Sequence, residues 1–97
     1  MLAVTEWNTV QMSVGVFTSQ KSRLLQNVRL ELSATPSDLL KILLTDLLLV
    51  AECTALGVNA VTVIVNGSTI MVEGRSLADY GFRPGTRSHC NVFFQRR

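Results

Sequence analysis

Between Leu32 and Leu39 the spacing of apolar residues changes from every second position to a helical period, which rules out an all-strand or all-helical chain. On the N-terminal side of the switch Val10, Met12, Val14 and Val16 alternate with Gln11, Ser13 and Gly15, as in a strand with one face in a core. Val28, Leu30 and Leu32 then alternate with Asn27, Arg29 and Glu31. The polar run from Ser19 to Arg23 between the two patterns predicts a hairpin with a fairly long, basic loop.

At Thr35-Pro36-Ser37-Asp38 a helix start is expected, with Thr35 or Ser37 able to accept backbone N–H groups, and Gly57 supplies the stop. On one continuous wheel Asp38, Lys41, Thr45 and Glu52 form a narrow polar face. Leu40, Leu43, Leu44, Leu47, Val50 and Ala51 form the wide apolar face opposite, where the core is expected. Ile42 and Leu49, seven apart, fall near the polar stripe; the N-terminal segment carrying Trp7 is expected to fold back over them, the other reading being a helix face that pairs with a partner or a second copy.

Beyond the helix, residues 61–65 are a β-branched run ended by Asn66-Gly67, a strong turn signal, after which Ile70, Met71 and Val72 return as a short strand. Leu77-Ala78-Asp79-Tyr80-Gly81 reads as one helical turn, Arg83-Pro84-Gly85-Thr86 as a turn, and residues 88–94 as a last strand. The order β-β-α-β-β-β predicts an α+β fold, a mixed sheet packed on one main helix with a short helical turn. With 97 residues the expectation is one domain, 1–97, with residues 1–9 as an N-terminal extension.

Composition narrows the chemistry. A hydrophobic fraction of 47% with 16% charged residues favours a packed core over disorder. The net charge of +2 is spread too thinly to track a phosphate backbone, so nucleic acid is not an expected partner. Cys53, Cys90 and the single His89 have no metal-ligand spacing, so no metal or cofactor is expected, and both cysteines read as small packed hydrophobes in a reducing compartment. The apolar stretch from Leu39 to Ala51, broken by Lys41, Thr45 and Asp46, is shorter than the roughly 20 residues of a membrane span. The N-terminus lacks a basic start followed by an apolar run, so a cytoplasmic or nuclear location is the expectation.

The run Glu73-Gly74-Arg75-Ser76-Leu77-Ala78-Asp79-Tyr80-Gly81-Phe82 closely resembles the ubiquitin signature in which Gly-Arg-Thr-Leu-x-Asp-Tyr precedes an apolar residue. Residues 61–67 are similar to the ubiquitin strand and turn, and Pro36-Ser37-Asp38 to its helix entry, so the resemblance spans about residues 11–94. It implies a ubiquitin-like β-grasp fold, with Leu77 plugging the core and the Tyr80 hydroxyl satisfying a nearby backbone group. Conjugated relatives end in Gly-Gly, whereas this sequence ends Phe94-Gln95-Arg96-Arg97 with its last glycine, Gly85, ahead of the final strand. Covalent tagging and sulfur carriage are therefore not expected. With only Lys21 and Lys41 present, and neither at the commonest chain-building positions, polymerisation is not expected either.

The resemblance also implies an apolar patch on the exposed sheet face. Ile64 takes the isoleucine place and His89 the histidine place, Asn91 stands where the valine would be, and Phe93 follows two residues later. Strand parity independently turns Ile64, His89, Asn91 and Phe93 away from Val63, Val65, Cys90 and Val92. The expected function is a non-conjugated protein-binding adaptor, monomeric or weakly dimeric, acting on a component of the ubiquitin pathway or of a complex. His89, with no nucleophile or carboxylate beside it in sequence, is expected to be a contact residue, not a catalyst. The alternative is an accessory subunit of a secretion or oxygenase assembly, held through a helix face bearing Ile42 and Leu49.

Overall fold

The alternating segments pair into one mixed sheet, seen in a computed structural model that describes residues 8–96. Strands β1 (Thr9–Phe17), β2 (Ser22–Glu31), β3 (Ala60–Val65), β4 (Thr69–Ile70) and β5 (Arg87–Gln95) lie in the order β2-β1-β5-β3-β4. Only β1 and β5 run parallel. Helices α1 (Pro36–Leu43) and α2 (Leu47–Leu56) and a 3-10 turn (Leu77–Tyr80) complete the molecule, an α+β domain compatible with a β-grasp. No helix among the described residues is long and apolar enough to cross a membrane.

The parity expected for the strands holds. Val10, Met12, Val14 and Val16 are buried, and Val63, Val65, Cys90, Val92 and Phe94 join them in one cluster with Leu30, Leu39, Leu43 and Leu77. Leu77 thus fills the core from the short turn, and the Tyr80 hydroxyl accepts the Val72 N–H at 2.7 Å. Asn66 and Gly67, with φ of 54° and 83°, reverse the chain as expected, but Val65 pairs with Thr69, so the loop holds three residues, Asn66, Gly67 and Ser68, where Asn-Gly predicts a two-residue turn. The return strand is only Thr69–Ile70, because Met71 turns into the core while its N–H still reaches the Val63 carbonyl at 2.8 Å.

Two expectations need correction. The basic loop between β1 and β2 is shorter than the polar run suggested, and Arg23 belongs to the ladder opposite Val16. Its side chain shares the inner side of the sheet with Val16, and the guanidinium bridges Asp46 at 3.2 Å and Glu52 at 3.4 Å.

The helix is also not continuous. Thr35 caps α1, with Asp38 accepting the Thr35 N–H at 3.0 Å, but the Thr45 hydroxyl donates to the Ile42 carbonyl at 2.7 Å. Asp46 then starts a new helix by accepting the Leu48 N–H at 3.0 Å and the Leu49 N–H at 3.4 Å. Short polar side chains compete with the backbone for its hydrogen bonds, and two in succession are enough to end one helix and cap the next. Gly57, at φ 68°, closes α2 as expected.

The break resets the phase of the wheel. Leu39, Leu43 and Leu49 face the core, while Leu47 and Leu48 are 81% and 72% exposed and Leu44 is also exposed. Leu49, placed by the continuous wheel beside the polar stripe, is instead turned into the core at 3% exposed, whereas Ile42 is 42% exposed. The proposed cover by Trp7, like most of the 1–9 extension, lies outside the described residues.

Candidate functional site

Where the helices cover one side of the sheet, the other side takes its character from strand register. Gly15 of β1 pairs with Leu24 of β2 and with Asn91 of β5, Asn91 pairs with Ile64 of β3, and Ile64 pairs with Ile70 of β4. Directly opposed residues point to the same side, so Leu24, Gly15, Asn91, Ile64 and Ile70 form one row across all five strands. Leu24 and Ile70 are 57% and 60% exposed, and Ile64 is half-buried between its neighbours.

A second row flanks the first. Phe17 opposes Phe93, and the rings stack with centroids 4.9 Å apart and planes 14° from parallel. Both are half-buried, their outer surfaces remaining available, and a cleft of about 520 Å³ opens where they meet Leu56 and Val58 at the sheet end. On the opposite flank Ser13 pairs with His89. Ser13 Oγ lies 2.6 Å from His89 Nδ1, and His89 Nε2 lies 2.8 Å from Asn91 Oδ1. With the amide oxygen as acceptor, the ring donates through Nε2 and accepts the Ser13 hydroxyl proton at Nδ1. Serine, imidazole and amide form a polar chain beside the apolar row.

Gly15 makes this arrangement fit. A Cβ at that position would fall 2.5 Å from Asn91 Oδ1 and 2.8 Å from the Phe17 ring, so the missing side chain lets Asn91 reach His89 and Phe17 lie flat. The β1–β2 ladder is also irregular here. Between Met12 and Val14 the β1–β2 register shifts, with Asn27 at φ 61°, which places two β2 residues against Ser13 and lets Leu24 reach the outer face.

The four residues expected in the patch, Ile64, His89, Asn91 and Phe93, thus share one face, with Asn91 touching His89 and standing across from Ile64. The alternative pair is separated: Ile42 is at the surface of α1 and Leu49 in the core. Sequence reasoning missed Ser13 as a neighbour of His89 and missed Leu24, Ile70 and Phe17 as members of the face. Parity on β1 signalled Ser13 and Phe17, but Leu24 depends on the bulge, which no local pattern announces.

The ionisable groups with displaced titration lie away from this face. Asp38 and Asp79 are held below the usual carboxylate value, chiefly by the backbone N–H of Thr35 and Ser76 respectively, and serve as helix-start caps. Burial pushes the Cys90 thiol up to about 12 and raises Cys53 as well. Among the described residues no three His, Cys, Asp or Glu side chains group as a metal site. No protein-family model matches the chain, and no curated protein sequence matches it.

Proposed function

We propose that the chain is a ubiquitin-like β-grasp domain acting as a non-covalent protein-docking module through the outer face of its sheet, without a catalytic step. The observation that carries this reading is the five-strand row Leu24–Gly15–Asn91–Ile64–Ile70, apolar at both ends and bordered by the Phe17–Phe93 stack on one side and the Ser13–His89–Asn91 chain on the other. Contiguous exposed apolar groups rimmed by hydrogen-bonding side chains are the anatomy of a protein interface. Full burial of an exposed Leu or Ile contributes roughly 1.5–3 kcal/mol before ordering costs, so Leu24 and Ile70, with the uncovered part of Ile64, supply part of the energy of a weak contact and the Phe17–Phe93 stack adds to it. A cytoplasmic or nuclear setting goes with this role and is supported by the free thiols of Cys53 and Cys90.

The test is partner capture by immobilised wild-type chain against Ile64→Ala and Phe93→Ala, each checked for folding by its amide spectrum. A partner retained by wild type and lost by both variants is expected; undiminished capture by Ile64→Ala overturns the sheet-face reading. A second reading, an accessory subunit of a larger assembly such as a secretion or oxygenase complex, is favoured by the exposed Leu47 and Leu48 at the helix junction. There Leu47→Asp abolishes capture and Ile64→Ala leaves it intact.

A further inference from the structure

We infer that the segment docking on the sheet face is an acidic, amphipathic stretch of protein, with apolar side chains over the Ile64 row and carboxylates over a pair of arginines further along the strands. The inference rests on the docking role above and adds the chemistry of the partner. Gln11 of β1 pairs with Arg29 of β2 on one side and with Arg87 of β5 on the other. Because Gln11 lies four residues before Gly15, both arginines stand on the outer face, about 13 Å along the strands from the apolar row. Both are exposed, and neither forms an ion pair among the described residues.

A groove joins the two halves. At the bulge, a cleft of about 340 Å³ is lined by Leu24 at its apolar end and by Gln11, Ser13 and Arg87 at its polar end. Leu24 and Ile64 stand three strands apart, about 14 Å, so an extended or helical segment lying over β1 and β5 can set separate aliphatic side chains against each while its carboxylates meet Arg87 and Arg29. Guanidinium groups bind carboxylates through paired, planar N–H donors, which fixes orientation as well as affinity. Glu31, opposite Thr9 one row beyond, is the nearest acid on the same strand face, and Ser33 donates to it at 3.4 Å. It repels a carboxylate, so the acidic side chains of the segment are confined to the Gln11 row, between Arg29 and Arg87, and do not extend to the Thr9 row.

The test is selection of peptides from an unbiased display library on the folded wild-type chain and on the Arg29→Glu/Arg87→Glu double variant. Expected is enrichment of Asp and Glu at a fixed distance from an aliphatic residue. Binding of the selected peptides should fall about tenfold or more in the double variant and weaken with added salt. The same peptides should lose binding to Ile64→Ala. Peptides that need Ile64 but carry no acidic bias overturn this inference and leave the docking role standing. Peptides indifferent to Ile64, or a selection that enriches nothing, overturn both. Self-association in sedimentation that Ile64→Asp abolishes puts a second copy on the face and overturns the acidic partner.

Discussion

Gly15 and Asn91 are locked together across the parallel β1–β5 pair: the absence of a Cβ on one is the space occupied by the amide of the other. The register alone does not produce this contact. It needs the smallest residue on β1 beside a side chain on β5 that is itself held at 2.8 Å from His89.

Replacing Gly15 by Ala should therefore rotate Asn91 off His89 and push the Phe17 ring out of its stack. The net change is expected to be a loss of about 0–2.5 kcal/mol, because the reduced entropy of the unfolded chain offsets only part of the overpacking. The ring-nitrogen resonances of His89 and the amide shifts of Phe93 report the rearrangement. Unchanged His89 resonances in Gly15→Ala would show that the contact is not what orients the imidazole.

The helix break makes opposite demands on adjacent leucines. Leu49→Ala should cost about 2–5 kcal/mol as a buried truncation, and Leu47→Ala or Leu48→Ala should change stability by no more than about 0.5 kcal/mol. Urea unfolding of the three variants separates this arrangement from one continuous helix, in which Leu47 is the costly position. Asp46→Ala, which removes the cap of α2 and one partner of Arg23, is expected to cost about 0.5–2 kcal/mol.

Asp38 and Asp79 set an acid limit. Each titrates below its ordinary value in the folded chain because the carboxylate accepts a backbone N–H. Their stabilisation is present above the unfolded value of 3.8 and disappears as pH falls through the lower folded value. At pH 7 the Asp38→Asn/Asp79→Asn double variant should unfold at lower urea than wild type, and by pH 2 the two midpoints should converge. Midpoint differences independent of pH would contradict the capping assignment.

The thiols carry the reverse sign. Burial raises both above the ordinary 9.0, so the stabilisation from keeping them neutral is full below that value and is lost as pH rises toward the folded value, about 12 for Cys90. In native protein at pH 8 a disulfide reagent should modify Cys53 slowly and Cys90 only as fast as the chain unfolds. Prompt modification of both would require Cys90 to be open to solvent.

Much of the strand architecture is legible in the amino-acid sequence. Alternation along β1, β3 and β5 placed Val14, Val63, Val65 and Val92 inside and Ile64, His89, Asn91 and Phe93 outside, since a two-residue repeat assigns faces within the strand itself. The helix was legible only at its ends. Thr35 and Gly57 act within a few residues, whereas the interruption at Thr45 and Asp46 competes with a helix that a wheel assumes to be continuous. Stabilised by Arg23 from β2, it moved Leu49 inward and Leu47 outward.

What the chain alone determined was therefore which residues each strand presents to water, together with the turns that reverse it, because these follow from local stereochemistry. Tertiary pairing decided which of those residues meet. Leu24, Gly15, Asn91, Ile64 and Ile70 come from five separate segments, and they share a row because backbone hydrogen bonding between the strands, including one bulge, sets their registers. The arginines flanking Gln11 come together through the same pairing. Cross-strand register is a collective outcome of packing the inner face, so the outer face inherits its pattern from the core.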